Sequence, residues 1–292
     1  MTKNIADSIK AQVGTKVLNK ETTTELALTA LLARGHVLLT GSTGLGKTQW
    51  AQAFAGALGV GYKRMRFTKD SNPHDIAHIS DYEGRLGPMY SHVFHVDDIG
   101  SAHPHTHGAL MDAMDQSKQG LSIEGLPEPF FIIATDSETR NLPEALADRF
   151  MMKLRILYPG VAAEKQLLQM CDKPVASQEL QPVCTLEDLT QARQEVQGVA
   201  VDDEIIDFII KIIETTRRVS AVQTGVSPRG SMALLQAAKA YAAVQGRDYV
   251  VPDDINGLAT PVLWHRIILK PEAIKEGVQP DNVIESVLSG KG

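Results

Sequence analysis

The eight residues Gly41-Ser42-Thr43-Gly44-Leu45-Gly46-Lys47-Thr48 constrain this chain more than any other segment. They fit the spacing G-x-x-x-x-G-K-[ST] and follow the short apolar run Val37-Leu38-Leu39, which reads as a buried strand. A helix is expected to follow, running through residue 57. A glycine-rich turn between strand and helix suits an anion: glycines let backbone amides wrap it closely, and the helix N-terminus adds partial positive charge. Residues 41–46 and Gln49 are therefore read as the cradle, with Lys47 reaching the β- and γ-phosphates of a nucleoside triphosphate. Thr48 places its hydroxyl on the accompanying Mg²⁺.

A second piece must hold the metal. Val93-Phe94-His95-Val96-Asp97-Asp98 reads as a mostly apolar strand ending in two carboxylates, at the sheet edge where doubly wound folds bind ligands. Asp97 is assigned to Mg²⁺, and Asp98, one position on, to orienting the attacking water. The alternative is that the Asp-Asp pair caps a following helix.

The rest of the chain supplies the scaffold this reading needs. Further short apolar runs at 65–67, 93–96, 130–134 and 154–157 alternate with helical or loop stretches, and a helix is expected over 22–34. That alternation predicts an α/β fold with a parallel sheet and helices on both faces. After Tyr158-Pro159-Gly160 helical periodicity takes over, at 186–196, 203–217, 227–244 and 252–263. The expected division is a nucleotide-binding core over 1–159 and a smaller helical domain over 160–292. Stretches 79–90 and 118–127, each with two glycines, read as loops or hairpins inserted on the core.

Composition excludes several alternatives. With 43% hydrophobic and 22% charged residues among 292, the chain has the make-up of an ordinary globular protein. Its 29 Lys+Arg against 35 Asp+Glu give a formal charge of −6, which does not favour nucleic acid or an anionic membrane. No run approaches the roughly 18 to 20 apolar residues of a membrane span, and the first residues lack a signal-peptide core, so the expected location is the cytoplasm. Cys171 and Cys184 fit neither a disulfide framework nor a zinc knuckle and are expected to be reduced and inert. Seven of the nine histidines lie between positions 74 and 107, including His103-Pro104-His105-Thr106-His107. In an extended segment these alternating rings could converge on zinc, but Pro104 sits where a helix should begin, which spreads them around its axis; surface histidines are expected.

The same residues resemble the MoxR family of AAA+ ATPases over nearly the whole chain. Gly35-His36-Val37-Leu38-Leu39 leading into the phosphate loop looks like the family's first strand, and residues 41–48 and 93–98 take the places of its Walker A and Walker B motifs. Leu142-Pro143-Glu144-Ala145 with Asp148-Arg149-Phe150 is similar to the L-P-E-A…D-R-F signature, and Ser227-Pro228-Arg229-Gly230, Ala237-Ala238-Lys239-Ala240 and residues 246–254 look like its lid. The resemblance implies ATP as the nucleotide and a P-loop fold with a small all-α lid. It implies Arg149 acting on a neighbouring subunit, Arg229 as the lid's sensor 2, and a homo-oligomeric ring, hexameric in similar proteins. It also implies a chaperone-like role toward a partner bearing a von Willebrand factor A domain, with the central face of the ring lined by such insertions as 79–90 and 118–127. Two positions depart from the pattern: Asp98 stands where the family has Glu, and Ser137 where it has Asn. A carboxylate shortened by one C–C bond retreats by about 1.5 Å, and misplacement by about 1 Å can cost about 10²-fold in rate. Asp136 is a poor substitute, since its carboxylate would repel phosphate oxygens. The expectation is firm Mg·ATP binding and slow hydrolysis, with a nucleotide-gated scaffold of little hydrolysis as the alternative. A nucleic-acid motor is disfavoured by the charge.

Overall fold

A computed structural model of the chain describes residues 1–77, 86–119, 126–137, 142–171 and 180–290. Strands β1 (Val37–Thr40), β2 (Tyr62–Arg66), β3 (Val93–Asp97), β4 (Phe131–Asp136) and β5 (Met152–Arg155) form one five-stranded sheet in the order β2-β3-β4-β1-β5. Every neighbouring pair in it is parallel. β1, β3 and β4 are interior, and their near-continuous apolar sequences are what burial on both faces demands. β2 is an edge strand, Tyr-Lys-Arg-Met-Arg, with three exposed positions, which explains why apolar content alone put it at 65–67. β5, the other edge, begins at Met152 rather than 154.

Up to β5 the described helices are α1 (Thr2–Gly14), α2 (Glu21–Leu32), α3 (Lys47–Leu58), α4 (Pro73–Ala77), α5 (Pro104–Gln119) and α6 (Glu144–Ala147). Beyond it come α7 (Val161–Cys171), α8 (Leu186–Gln197), α9 (Asp203–Arg218), α10 (Pro228–Val244), α11 (Pro252–Leu263), α12 (Pro271–Lys275) and α13 (Pro280–Leu288). A two-stranded antiparallel ribbon, β6 (Val222–Thr224) with β7 (Ile268–Leu269), lies among the later helices. Local sequence accounts for most of their limits. Thr185 and Asp188 close a capping box at the start of α8. α9 carries Asp203 and Glu204 in its first turn and Arg217 and Arg218 in its last, as the helix dipole prefers, and buries Ile205, Ile209, Ile212 and Ile213 along one stripe.

The sheet divides the core by period-two alternation. Val37, Leu39, Val93, Phe131 and Ile133 face one cluster, shared with α1 to α3 and with α8 to α11 and α13. Leu38, Phe94, Val96, Ile132 and Ala134 face the other, closed by α5 and by Leu146 and Phe150. α1 and α2 bridge the two parts of the chain, packing on α10 and α8 as well as on the sheet side. Trp50 is wholly buried there, its indole N–H donating to Thr24 Oγ1 at 3.0 Å. Cys184 is buried, and burial pushes its thiol up to about 11, so it is not a nucleophile at neutral pH. Among the described residues no helix is long and apolar enough to cross a membrane. Most of the two stretches read as insertions, namely 79–85 and 120–125, lies outside the described residues.

Candidate nucleotide-binding site

The carboxyl-terminal edge of the sheet carries the chemistry. Gly41 follows β1 with φ 147°, and a Cβ on it would stand 2.4 Å from the Ile156 carbonyl oxygen, so only glycine lets the loop pass β5. Gly44 and Gly46 are left-handed at φ 88° and 78°, and Gly46 is the N-cap of α3. Lys47 opens that helix and bends back: its Nζ donates to Gly41 O at 2.7 Å and Ser42 O at 2.9 Å, laying the ammonium over its own loop. Thr48 Oγ1 stands 3.5 Å from Asp97 Oδ2. Gln49 reaches away from the loop to Lys16 O at 3.4 Å.

The two aspartates are held from the neighbouring strands. β2 runs beside β3, and its alternating Arg64 and Arg66 face them: Arg64 grips Asp97 Oδ2 through Nε at 3.0 Å and through Nη2, while Arg66 Nε donates to Asp98 Oδ2 at 2.9 Å. On the other side the Thr135 hydroxyl donates to Asp97 Oδ1. Burial pushes the Asp97 carboxyl up, but the Thr135 and Arg64 bonds outweigh it and hold the group below the usual carboxylate range. Asp98 occupies the left-handed region at φ 55°, a conformation an aspartate tolerates and one that recurs at functional sites. It precedes the 3₁₀ turn Ile99–Ser101 but makes no side-chain cap bond to it; its carboxylate faces Arg66 instead. His95 is fully buried behind Asp97 with Nδ1 2.8 Å from the Tyr62 hydroxyl, and burial depresses it to about 4, so the ring is neutral.

β4 lies between β1 and β3, so Asp136 and Ser137 at its end sit between the phosphate loop and the aspartates. Ser137 N–H donates to Asp136 Oδ1 at 2.8 Å. The Thr48 hydroxyl and Asp97 carboxylate are hard oxygen donors, and Mg²⁺ in nucleotide sites takes few protein ligands beside phosphate and water; this pair fits it. Among the described residues the histidines do not converge. His103, just ahead of α5, and His105, in its first turn, stack at 5.0 Å on the surface, and His107 turns inward, its Nε2 2.7 Å from Ile99 O.

The arginines are elsewhere. Arg149 precedes β5, at the amino-terminal edge of the sheet. α5 descends to the same edge, since its Ser117 hydroxyl meets His36 just before β1, and Asp115 of α5 receives Arg149 through Nε at 2.9 Å and Nη2 at 2.8 Å. Arg229, second residue of α10 behind Ser227 and Pro228, has Nη2 3.5 Å from Asp115 and Nε 3.9 Å from Asp148. Arg229 thus keeps company with Arg149 rather than Lys47, and the length of β1, about 13 Å at 3.3 Å per residue, separates them from the loop. Beside them opens a cavity of about 610 Å³ bounded by Arg34, Asp115, Met151, Arg229 and Met232.

The model of the ATPase family associated with various cellular activities (AAA) matches residues 36–152, and that of the AAA lid domain matches 214–287. The uncharacterized protein YeaC of Bacillus subtilis is 41% identical over 90% of this chain and 87% of its own. Chaperone MoxR1 of Mycobacterium tuberculosis is 30% identical over 93% of this chain and 78% of its own. The chain belongs to the MoxR family of AAA+ ATPases. A crystal structure from Cytophaga hutchinsonii has the same fold, with a TM-score of 0.88 and 27% identity over 99% of this chain and 94% of that one.

In this MoxR-family protein, several site residues escape a reading along the sequence. Arg64, Arg66 and Thr135 reach the aspartates only because β2 and β4 flank β3, and Asp115 becomes a partner of Arg149 and Arg229 only through the descent of α5. The one available signal was the i, i+2 spacing of the two arginines, which puts them on one face of a strand. A cleft of about 180 Å³ also lies beside the loop, lined by Asn19, Lys20, Thr23, Arg155, Ile156 and Tyr158.

Proposed function

We propose that this protein binds Mg·ATP on residues 41–49, assembles as a hexameric ring, and hydrolyses ATP slowly to remodel or activate a partner protein. The observation that carries the reading is the separation of two half-sites: phosphate-binding groups at one edge of the sheet, Arg149 and Arg229 at the other. Neither half completes the other within one chain. Copies arranged head to tail bring the arginines of one to the phosphates of the next, which makes nucleotide state readable across the interface.

The core over 1–159 then carries the nucleotide and residues 160–292 the lid. When bound, Mg²⁺ neutralises charge building up on the phosphate oxygens. Lys47 moves from the Gly41 and Ser42 carbonyls to the phosphates, a short excursion for a flexible stem. Asp98 orients the water, Ser137 contributes a hydroxyl close by, and the base enters the cleft beside Lys20 and Tyr158. The family resemblance suggests a partner with a von Willebrand factor A domain, and the name of the tuberculosis relative, a chaperone, supports maturation of that partner chaperone-fashion, here in the cytoplasm. Co-purification with and without ATP tests it.

A second reading is favoured by the Arg66–Asp98 pair together with the short Asp98 side chain: a nucleotide-gated scaffold with little turnover. Single-turnover hydrolysis by the wild type and by Asp98→Glu separates the two. Restoring the longer carboxylate is expected to raise the rate by about 10- to 100-fold, whereas Lys47→Ala abolishes binding. Equal rates for wild type and Asp98→Glu refute the role given to Asp98, and absence of any heat on calorimetric titration with Mg·ATP refutes the nucleotide site itself.

A further inference from the structure

The 3₁₀ turn Trp264–Arg266, which follows α11, directs three consecutive side chains at the main chain around β5. Trp264 Nε1 donates to Lys153 O at 2.9 Å, and His265 Nε2 lies 3.1 Å from Phe150 O. Arg266 goes furthest. Its Nη2 donates to Phe150 O at 2.7 Å and Asp148 O at 3.0 Å, its Nη1 to Met151 O at 3.3 Å and to Val262 O, and its Nε to Asp148 Oδ1 at 2.9 Å.

A guanidinium has five N–H donors in a fixed fork, and here each has an acceptor. Four of those acceptors belong to residues 148–151, on both sides of Arg149. The side chain is only 2% exposed, and burial pulls the group down to about 10, so it remains a cation opposite Asp148. Gly230, next to Arg229, leaves room for this stem: a Cβ there would stand 3.0 Å from Arg266 Cδ and 2.3 Å from Val226 Cγ1. Apolar residues fill such space at lower desolvation cost than a buried cation. What the cation adds is a fixed geometry for the loop that carries Arg149 and for the helix turn that carries Arg229.

We propose that Arg266 is a positioning residue for Arg149 and Arg229, locking the two into one rigid unit that is offered to the nucleotide of a neighbouring protomer. This rests on the reading that these arginines act in trans. The test uses the assembled full-length protein with Arg266→Met and Arg266→Lys. Both should bind ATP within about 2-fold of wild type, because the phosphate loop is at the far edge, while hydrolysis falls about 100-fold, the scale of a misplacement near 1 Å. Mixing Arg266→Met with Lys47→Ala, which has no working loop but intact arginines, should then raise the rate at least about 10-fold over either variant alone. A merely structural role would not give that recovery.

The control mixture is Arg149→Ala with Lys47→Ala. If it fails to recover, action in trans is wrong and the positioning role falls with it. If the control recovers and the Arg266 mixture does not, only the positioning role is overturned. Should Arg266→Met not fold, Arg266→Lys carries the test, since it keeps a cation against Asp148 but cannot serve five acceptors; a folded Lys variant with unchanged hydrolysis overturns the proposal.

Discussion

Asp97 is asked to serve two cations. In the proposed site Thr48 and Asp97 offer oxygens to Mg²⁺, yet Arg64 already rests on the same Asp97 Oδ2 atom, with its side chain 46% exposed. An ion pair open to solvent is worth about 0.2–1 kcal/mol, too little to keep Mg²⁺ away but enough to weaken its binding. Arg64→Met should therefore lower the Mg²⁺ concentration needed for half-maximal ATP binding by about 2- to 5-fold. Titrating Mg²⁺ at fixed ATP reads this directly, and a midpoint unchanged or raised in Arg64→Met counts against competition. The logic is unlike that at Asp98, where Arg66 holds a carboxylate proposed to orient water; there the backbone, at φ 55°, already fixes where the side chain starts.

At the scale of elements, the segment β1–loop–α3 was fully legible because strand, turn and helix are contiguous and each glycine has a local reason. Gly41 and Gly44 separate two of those reasons. A Cβ on Gly41 meets the Ile156 carbonyl at 2.4 Å, whereas one on Gly44 meets nothing within 4 Å and only the positive φ opposes it. Gly41→Ala is expected to cost about 2–4 kcal/mol and to abolish ATP binding, while Gly44→Ala costs about 1–2 kcal/mol and keeps measurable affinity. Thermal unfolding and nucleotide titration of the pair check this, and equal effects would mean that contact with β5 is not what shapes the loop. The later helices were legible for a similar reason: α9 and α11 carry acidic residues in their first turns, α9 carries Arg217 and Arg218 in its last, and α11 has Pro252 at its first position. What sequence could not supply was adjacency. β2 was half hidden because an edge strand with Lys63, Arg64 and Arg66 has little apolar signature, and α1 was overlooked because its buried Ile5, Ile9 and Val13 are diluted by polar neighbours. Arg229 illustrates the limit best, since its motif was evident and its location beside Arg149 depended on how α5 and α10 meet.

For the whole molecule, one apolar cluster runs from α1 through the sheet into α13, so the two parts share a core and should melt together. Protonation should therefore be felt by all of it at once. His95 is depressed to about 4 by burial, and His265 is driven below its ordinary value by burial and by the Arg266 cation beside it. Both have folded values below the roughly 6.5 of an unfolded histidine, so the unfolded chain takes up protons first as pH falls. Stability from these rings is complete above pH 6.5 and is lost as pH falls below it, for His95 by about pH 4, where that ring alone accounts for about 3 kcal/mol. Urea unfolding at pH 7.5 and pH 5.0 should show one transition in each case, with the lower-pH midpoint clearly reduced, and His95→Gln should flatten the difference. A midpoint independent of pH over that range would mean that water or a shifted ring lets His95 charge in place. Two resolved transitions would mean that the lid and the sheet are held together less firmly than the bonds from Trp264, His265 and Arg266 to the β5 region require.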